Sequence, residues 1–281
     1  MIRLLGALFL TVAVIGVGAA RADEPDAATR ARIAAADTVR LVVDQAYGYR
    51  PRNSFDIAPI PGYRLPFEAV VEEVMDYAGV RIVDADATQY DATLTITARG
   101  LSIGRMFYTD MQYLFVGASL EGGIVFETPG GAVWTRTFVT RKQGPLELHL
   151  NLNFERPGNA PFGEIFAWAG SFVPRFLRTV GEIYGPEPLI AALDDGSRVV
   201  RPNAARALGD LGALGDGPAA SALIVALTDE DADVRREAAL SLGKIGAKSG
   251  VTPLEALLRD GDADVRWFAA WSLAQLRTAE Q

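Results

Sequence analysis

Two twelve-residue stretches near the end of the chain are almost the same. Asp231-Ala232-Asp233-Val234-Arg235-Arg236-Glu237-Ala238-Ala239-Leu240-Ser241-Leu242 returns 31 residues later (233 to 264) as Asp262-Ala263-Asp264-Val265-Arg266-Trp267-Phe268-Ala269-Ala270-Trp271-Ser272-Leu273. A looser copy lies 34 residues upstream (200 to 234), carried by Val200-Arg201 and Ala204-Ala205-Arg206-Ala207-Leu208-Gly209. A unit of this length cannot bury its apolar face alone, so units with such a period stack on one another into a solenoid. Solenoids present surfaces more often than they perform chemistry, and that sets the first functional expectation.

Each copy reads as two helices. In the middle copy Ala222, Leu223 and Ala226 supply the first, Asp229-Glu230-Asp231-Ala232 is the turn, and Asp233 is the expected cap of the second. Val234, Ala238, Leu242 and Ile245 give that second helix an apolar stripe, and Gly246 stops it. The last copy has its first helix at Pro253 to Leu258, a turn at 259–263, Asp264 as cap, and the stripe Val265, Ala269, Leu273 and Leu276. The succession of acidic turn, Asp-Val-Arg and Ala-Ala-x-x-Leu-Gly-x-x-Gly resembles the HEAT-like repeat family, in particular its short bacterial type first named from phycobilisome lyases. Two copies match closely. The third departs at Ala274, where the glycine would stand, and the first has Val199 in place of the aspartate and Pro202 early in its second helix. The resemblance covers about 186–278. It implies helix pairs stacked in a short arc, turn aspartates paired with Arg235 and Arg266 between repeats, and protein–protein binding as the commonest role. Lyase activity is not carried over.

Upstream, the pattern changes period. Val39 to Val43 reads as a strand, residues 47–66 as an irregular loop rich in proline, and Pro66 to Ala78 as an amphipathic helix bearing Phe67, Val70, Val71, Val74 and Met75 on one side. Val80 to Val83 is a further strand. Thr93 to Arg99 alternates as a half-buried antiparallel strand does, Leu114 to Glu127 and Val133 to Thr140 flank a Pro129-Gly130-Gly131 turn, and Leu146 to Phe154 alternates again. Ile165 to Ile183 is helical and aromatic, with Pro174 expected to kink or split it. The fold expected is an α+β domain, an antiparallel sheet with a covering helix, followed by an all-α HEAT-like solenoid of about three helix pairs. The boundaries expected are 1–22 signal peptide, 23–157 α+β envelope domain, 158–185 helical connector and 186–281 repeat domain.

The N-terminus has Arg3, an apolar run from Leu4 to Ala20, and Ala20-Arg21-Ala22 as a small-residue cleavage site. Export to a bacterial periplasm, or secretion, is the expectation, with no stable membrane span after cleavage near Ala22. The chain has no cysteine, which excludes disulfides, thiolate metal sites and cysteine nucleophiles. Cleavage removes two of 27 basic residues, leaving 25 against 35 acids, a net charge of −10. Such a chain is repelled by phosphate backbones, so nucleic acid is not an expected partner.

Candidate sites are few. Asp260-Gly261-Asp262-Ala263-Asp264 and Asp229-Glu230-Asp231-Ala232-Asp233 imitate the start of a calcium loop but lack its sixth-position glycine and twelfth-position glutamate, so turn and capping roles are expected. Gly100-Leu101-Ser102-Ile103-Gly104 fits the nucleophile-elbow spacing, with His149, the only histidine, downstream, but no helical stripe follows the serine. Asp84 and Asp86 are read as surface acids at a turn. Trp267, Phe268 and Trp271 are large aromatics that the repeat does not require. Their counterparts in the middle copy are Arg236, Glu237 and Leu240, mostly polar, so the position is read as the outer side of the second helix. The partner-binding candidates are therefore Trp267, Phe268, Trp271, Arg236 and Leu240. The competing reading has the aromatics packing within the chain. The function expected is a non-enzymatic exported binding or scaffold protein that contacts another envelope protein, without cofactor or metal. The alternatives are a carrier or sensor of a small apolar ligand on the N-terminal sheet, and an envelope hydrolase.

Overall fold

A computed structural model of the protein describes residues 26–51, 58–59, 64–107, 112–131, 133–143 and 162–278. Residues 1–22, read from sequence as a signal peptide, the alternating run Leu146 to Phe154 and His149 lie outside the described residues. Helix α1 (Ala27–Ala34) begins at Asp26, whose carboxylate accepts the Thr29 backbone N–H at 2.6 Å. Strand β1 (Thr38–Pro51) follows, then β2 (Ala58–Pro59), α2 (Phe67–Tyr77), β3 (Arg81–Val83), β4 (Ala92–Phe107), β5 (Gln112–Glu127) and β6 (Val133–Gln143).

The sheet runs β2-β1-β4-β5-β6, with β3 also paired to β1. It is mixed: β4–β5 and β5–β6 are antiparallel, as alternation and the glycine turn foretold, but β1 lies parallel to both β3 and β4. The reason is connectivity. After β1 the chain crosses the sheet face as α2 before returning, and a return of that kind sets strands parallel. The long β4 also gives β1 a partner as far as Pro51 opposite Gly104. What reads in sequence as the start of a loop at residue 47 is therefore strand, and Gly48 and Tyr49 pair in turn with Pro59 and Ala58.

One face of the sheet is buried. It carries Val39, Leu41 and Tyr47 of β1, Ala92, Leu94, Ile96 and Ala98 of β4, Leu120, Ile124 and Phe126 of β5, and Trp134 and Phe138 of β6. Gly122 sits among them because a Cβ there would overlap both the Thr97 carbonyl oxygen and the Phe138 ring. The opposite face, with Thr93, Thr95 and Thr97 half-buried and Thr135, Thr137 and Val139 exposed, carries no helix among the described elements.

Helix α3 (Phe162–Tyr184) closes the buried face. Pro174 lies within it and does not divide it. Phe172 meets Phe67 edge-on at 4.6 Å between ring centroids, meets Phe138 at 5.6 Å, and stacks on Phe176 at 5.5 Å. Arg136, on the same face of β6, forms a partly buried ion pair with Glu182, to which Arg178 also bonds at 2.7 Å. The far side of α3 takes the first helices of the repeat region, so one continuous apolar core runs from the sheet into the array.

Three helix pairs follow. They are α4 (Glu187–Ala191) with α5 (Val200–Asp210), α6 (Pro218–Ala226) with α7 (Ala232–Ile245), and α8 (Val251–Leu257) with α9 (Ala263–Thr278). The second helices stack in the order α3, α5, α7, α9, so α3 stands where the second helix of a preceding pair would stand. Pro202 falls in the first turn of α5, where its missing N–H has no helical acceptor to lose. Gly246 ends α7 with φ 73°, a left-handed conformation that suits glycine.

Phe172 packs on Phe67 and Phe138 in the sheet half of a core that continues through α3 into the array, so Phe172→Ala is expected to cost about 3–5 kcal/mol. Chemical denaturation should show the helical signal of the array and the fluorescence of Trp134 falling together; a sheet that unfolds while the array stays intact would contradict a shared core.

Candidate functional site

The side chains that sequence reading marked as possible chemistry are mostly structural. Arg201 donates from Nε and Nη2 to the Asp229 carboxylate of the next pair, at 3.0 and 3.2 Å, and from Nη1 to the carbonyl of Asp195 in its own turn. Arg235 repeats this one unit on: Nε and Nη2 reach Asp260 at 2.9 and 3.0 Å, and Nη1 reaches the Asp229 carbonyl. Arg266 holds the Asp260 carbonyl at 2.8 Å in the same way. The result is a ladder in which each arginine grips its own turn by the backbone, and Arg201 and Arg235 also clamp the next turn by its aspartate. Bidentate pairing of this kind is among the stronger charge-assisted contacts.

The acidic turns are built the same way. The Asp229 and Asp260 carboxylates also accept the backbone N–H of the residue two places on. The helix cap falls two residues earlier than sequence reading placed it. Asp231 and Asp262, not Asp233 and Asp264, accept the first-turn backbone N–H groups. Asp233 and Asp264 lie in the first turn, where a negative charge also suits the helix dipole. The hydrogen bonds of Arg235 hold the Asp260 carboxyl below the usual range against the opposing effect of burial. No group of three or more His, Asp or Glu side chains among the described residues is arranged to hold a metal ion.

A second contact series joins the second helices. Ser241 Oγ donates to the Ala205 carbonyl and Ser272 Oγ to the Ala239 carbonyl, both at 2.7 Å. Gly209 and Gly243 make room for these serines: a Cβ at Gly243 would stand 2.7 Å from Ser272 Oγ. Ala274, the departure noted in sequence, occupies the equivalent place on α9 and is exposed, since no described helix lies over it.

The ladder ends differently at its two ends. Asp195, only 3% exposed, is the first acid, and no described arginine reaches its carboxylate. The Tyr77 hydroxyl of α2 donates to it at 3.2 Å, and Glu73 lies alongside. Burial and the neighbouring acids push the Tyr77 phenol up to about 12, and raise Glu73. At the other end, Arg266 uses Nη1 on its own turn, and no described carboxylate reaches its Nε or Nη2.

The five binding candidates fall into different settings. Arg236 pairs with Asp233 at 2.5 Å and with Glu237 at 3.2 Å. Glu237 is 4% exposed and takes a bidentate grip from Arg206 of the preceding pair, at 3.0 and 2.7 Å. The position shared by Glu237 and Phe268 therefore faces the preceding unit, and the position shared by Arg206, Leu240 and Trp271 faces the following one. This corrects the reading of the aromatic position as wholly outside: Leu240, Phe268 and Trp271 are half-buried, and only Trp267, at 60%, stands out in solvent. Trp267 and Phe268 meet edge-to-face at 4.7 Å.

The alternatives lose their geometric basis. Ser102 lies inside the continuous strand β4, paired with Tyr49 and Ala118, with no strand-to-helix turn to form an elbow. Asp84 and Asp86 are exposed on the turn after β3. The apolar sheet face that a ligand would need is filled by α2 and α3.

Residues 186–274 match the family model for HEAT repeats. Among solved structures, human deoxyhypusine hydroxylase in complex with glycerol is 25% identical, over 43% of this chain and 40% of that one, with a TM-score of 0.32. A computationally designed armadillo repeat protein for modular peptide recognition is 19% identical, over 37% and 54%, with a TM-score of 0.32. The complex of CpcE and CpcF of phycocyanin lyase from Nostoc sp. PCC7120 is 23% identical, over 49% and 70%, with a TM-score of 0.25. The chain thus spans well under two thirds of the length of the first of these. No curated protein sequence matches it. Residues 186–274 form a HEAT-repeat region, joined to the N-terminal sheet domain.

Two outcomes are expected. Replacing Arg235 by Met leaves Asp260 and two turn carbonyls without their donor and should cost about 3 kcal/mol in denaturation experiments. The Asp260 contribution, from a depressed carboxyl, is present above the ordinary carboxylate range and is lost as pH falls through it, so wild type and variant should converge on acidification. Glu73 has the opposite sign, since burial and then the neighbouring Asp195 disfavour its charged form. Glu73→Gln should raise the unfolding midpoint at pH 7 and leave it unchanged near pH 3.

Proposed function

We propose that the protein is an exported, non-enzymatic binding or scaffold protein whose short HEAT-repeat array contacts another protein of the cell envelope. The observation that carries this reading is the exposed aromatic edge of α9 at the end of a rigid helical array. A terminal repeat is ordinarily polar on its outer side, and Trp is a residue type enriched in binding hot spots. The signal-like N-terminus supports a location outside the cytoplasm. The acidic net charge favours a protein partner over nucleic acid. The sheet domain supplies the wall on which the array stands.

The test is affinity purification of the full chain from envelope extract of the cells that make it, beside a Trp267→Ala/Trp271→Ala form. Neither substitution removes a fully buried side chain, so the unfolding midpoint should move by no more than a few degrees. The partner should be retained by wild type and depleted at least tenfold on the double variant. Identical recovery on both would show that the edge is not the interface, and cytoplasmic fractionation of the chain would overturn the envelope assignment.

A further inference from the structure

The uncovered end of the array has the parts of a further joint, with the acid missing. On α5 the stripe Pro202, Ala205, Arg206 and Gly209 lies under α7: Ser241 bonds to the Ala205 carbonyl and crowds Gly209, and Glu237 bonds to Arg206. On α7 the corresponding stripe Arg236, Ala239, Leu240 and Gly243 lies under α9, with Ser272 on the Ala239 carbonyl and against Gly243. On α9 the same positions are Trp267, Ala270, Trp271 and Ala274. Ala205 and Ala239 are completely buried, whereas Ala270 and Ala274 are exposed. Beside this track stands Arg266, anchored through Nη1 to the carbonyls of Asp260 and Gly261, as Arg235 is to those of Asp229 and Glu230. Arg201 and Arg235 direct their other two donors at an aspartate of the next turn.

We infer that the Arg266–Trp267–Ala270–Trp271–Ala274 face of α9 is a docking site for a helix of a different protein. That helix is preceded by a turn whose aspartate takes the Arg266 fork. This deepens, and rests on, the binding reading above. The chemistry of the occupant comes from the two joints inside the chain, where an aspartate meets the fork and the small residue at the crossing follows it by twelve places (229 to 241, 260 to 272).

A second copy of this chain does not fit the site. Its own first ladder acid, Asp195, is 3% exposed and closed off by Tyr77 and α2. A unit with serine at the crossing would also meet Ala274, where the internal joints have glycine because even a Cβ would crowd that serine. The partner helix therefore carries a residue smaller than serine there, or rides further out on the two tryptophans.

The experiment places the photocrosslinker p-benzoylphenylalanine at Ala270, at Ala274, or at Thr135 on the open sheet face, in the full chain expressed in the cells that make it. The expected result is an adduct from Ala270 and Ala274 with one other protein. Its crosslinked peptide should map to a helix directly after an aspartate-bearing turn. Arg266→Gln should reduce that adduct at least tenfold, as loss of a bidentate charge-assisted contact does. Ala274→Arg, at an exposed position that leaves the fold intact, should block the Ala270 adduct independently. With the purified partner, calorimetry should show a Kd at least tenfold weaker for Arg266→Gln, and unchanged for Arg277→Gln on the exposed flank. An adduct that ignores both substitutions, a peptide without the aspartate turn, or capture of a second copy overturns the inference. Adducts from Thr135 alone, or no adduct from any of the three positions, overturn both this inference and the reading of the array as the contact surface.

Discussion

A short array of helix pairs needs a wall to stack against, because each pair buries its apolar face only on a neighbour. Here the wall is α3. Its Phe172 and Phe176 sit in the sheet core against Phe67 and Phe138, while its other side receives α5 in the place of an earlier repeat. The partly buried Arg136–Glu182 pair adds a polar tie between that helix and the sheet. With the wall in place, one apolar core joins the described sheet and the described helix pairs.

Directional contacts along the array then set its geometry. Apolar burial alone tolerates sliding. At the two joints between successive pairs, the arginine fork of α5 or α7 must meet the aspartate of the next turn, and the serine of α7 or α9 must meet one carbonyl of the helix before it. Both contacts repeat with the unit, so the curvature of the array is fixed by two hydrogen-bonded constraints per joint. The first joint is closed by chemistry from outside the repeat, with the Tyr77 hydroxyl standing where an arginine would. This closure is what makes the array polar in the sense of direction: one end is sealed by the sheet domain, and the other carries an open fork.

Much of this was legible in the residues. Period, helix pairing, the stop at Gly246 and the structural part played by Arg235 followed from spacing and from the resemblance to HEAT-like repeats. The hairpin of β5 and β6 followed from Pro129-Gly130-Gly131 and alternation. The parallel pairing of β1 with β4 was not legible, because alternation reports burial on one face and says nothing of strand direction. The cap shifted from Asp233 to Asp231 because in a run of alternating acids propensity alone cannot choose which carboxylate meets the first free N–H groups.

The candidate site divides in the same way. The sequence by itself determined that Trp267, Phe268 and Trp271 break the pattern and that Ala274 replaces a glycine, since both are departures from an internal standard. Only the tertiary structure decided what those departures mean. It showed that position 268 faces backward and position 271 forward, that Glu237 is buried in an ion pair, and that Arg266 holds its own turn with one arm while no described carboxylate meets its other donors. The reason is physical. A repeat fixes which residues are equivalent, but the difference between a joint and an end lies in whether another helix covers it, and cover is a property of the packed chain.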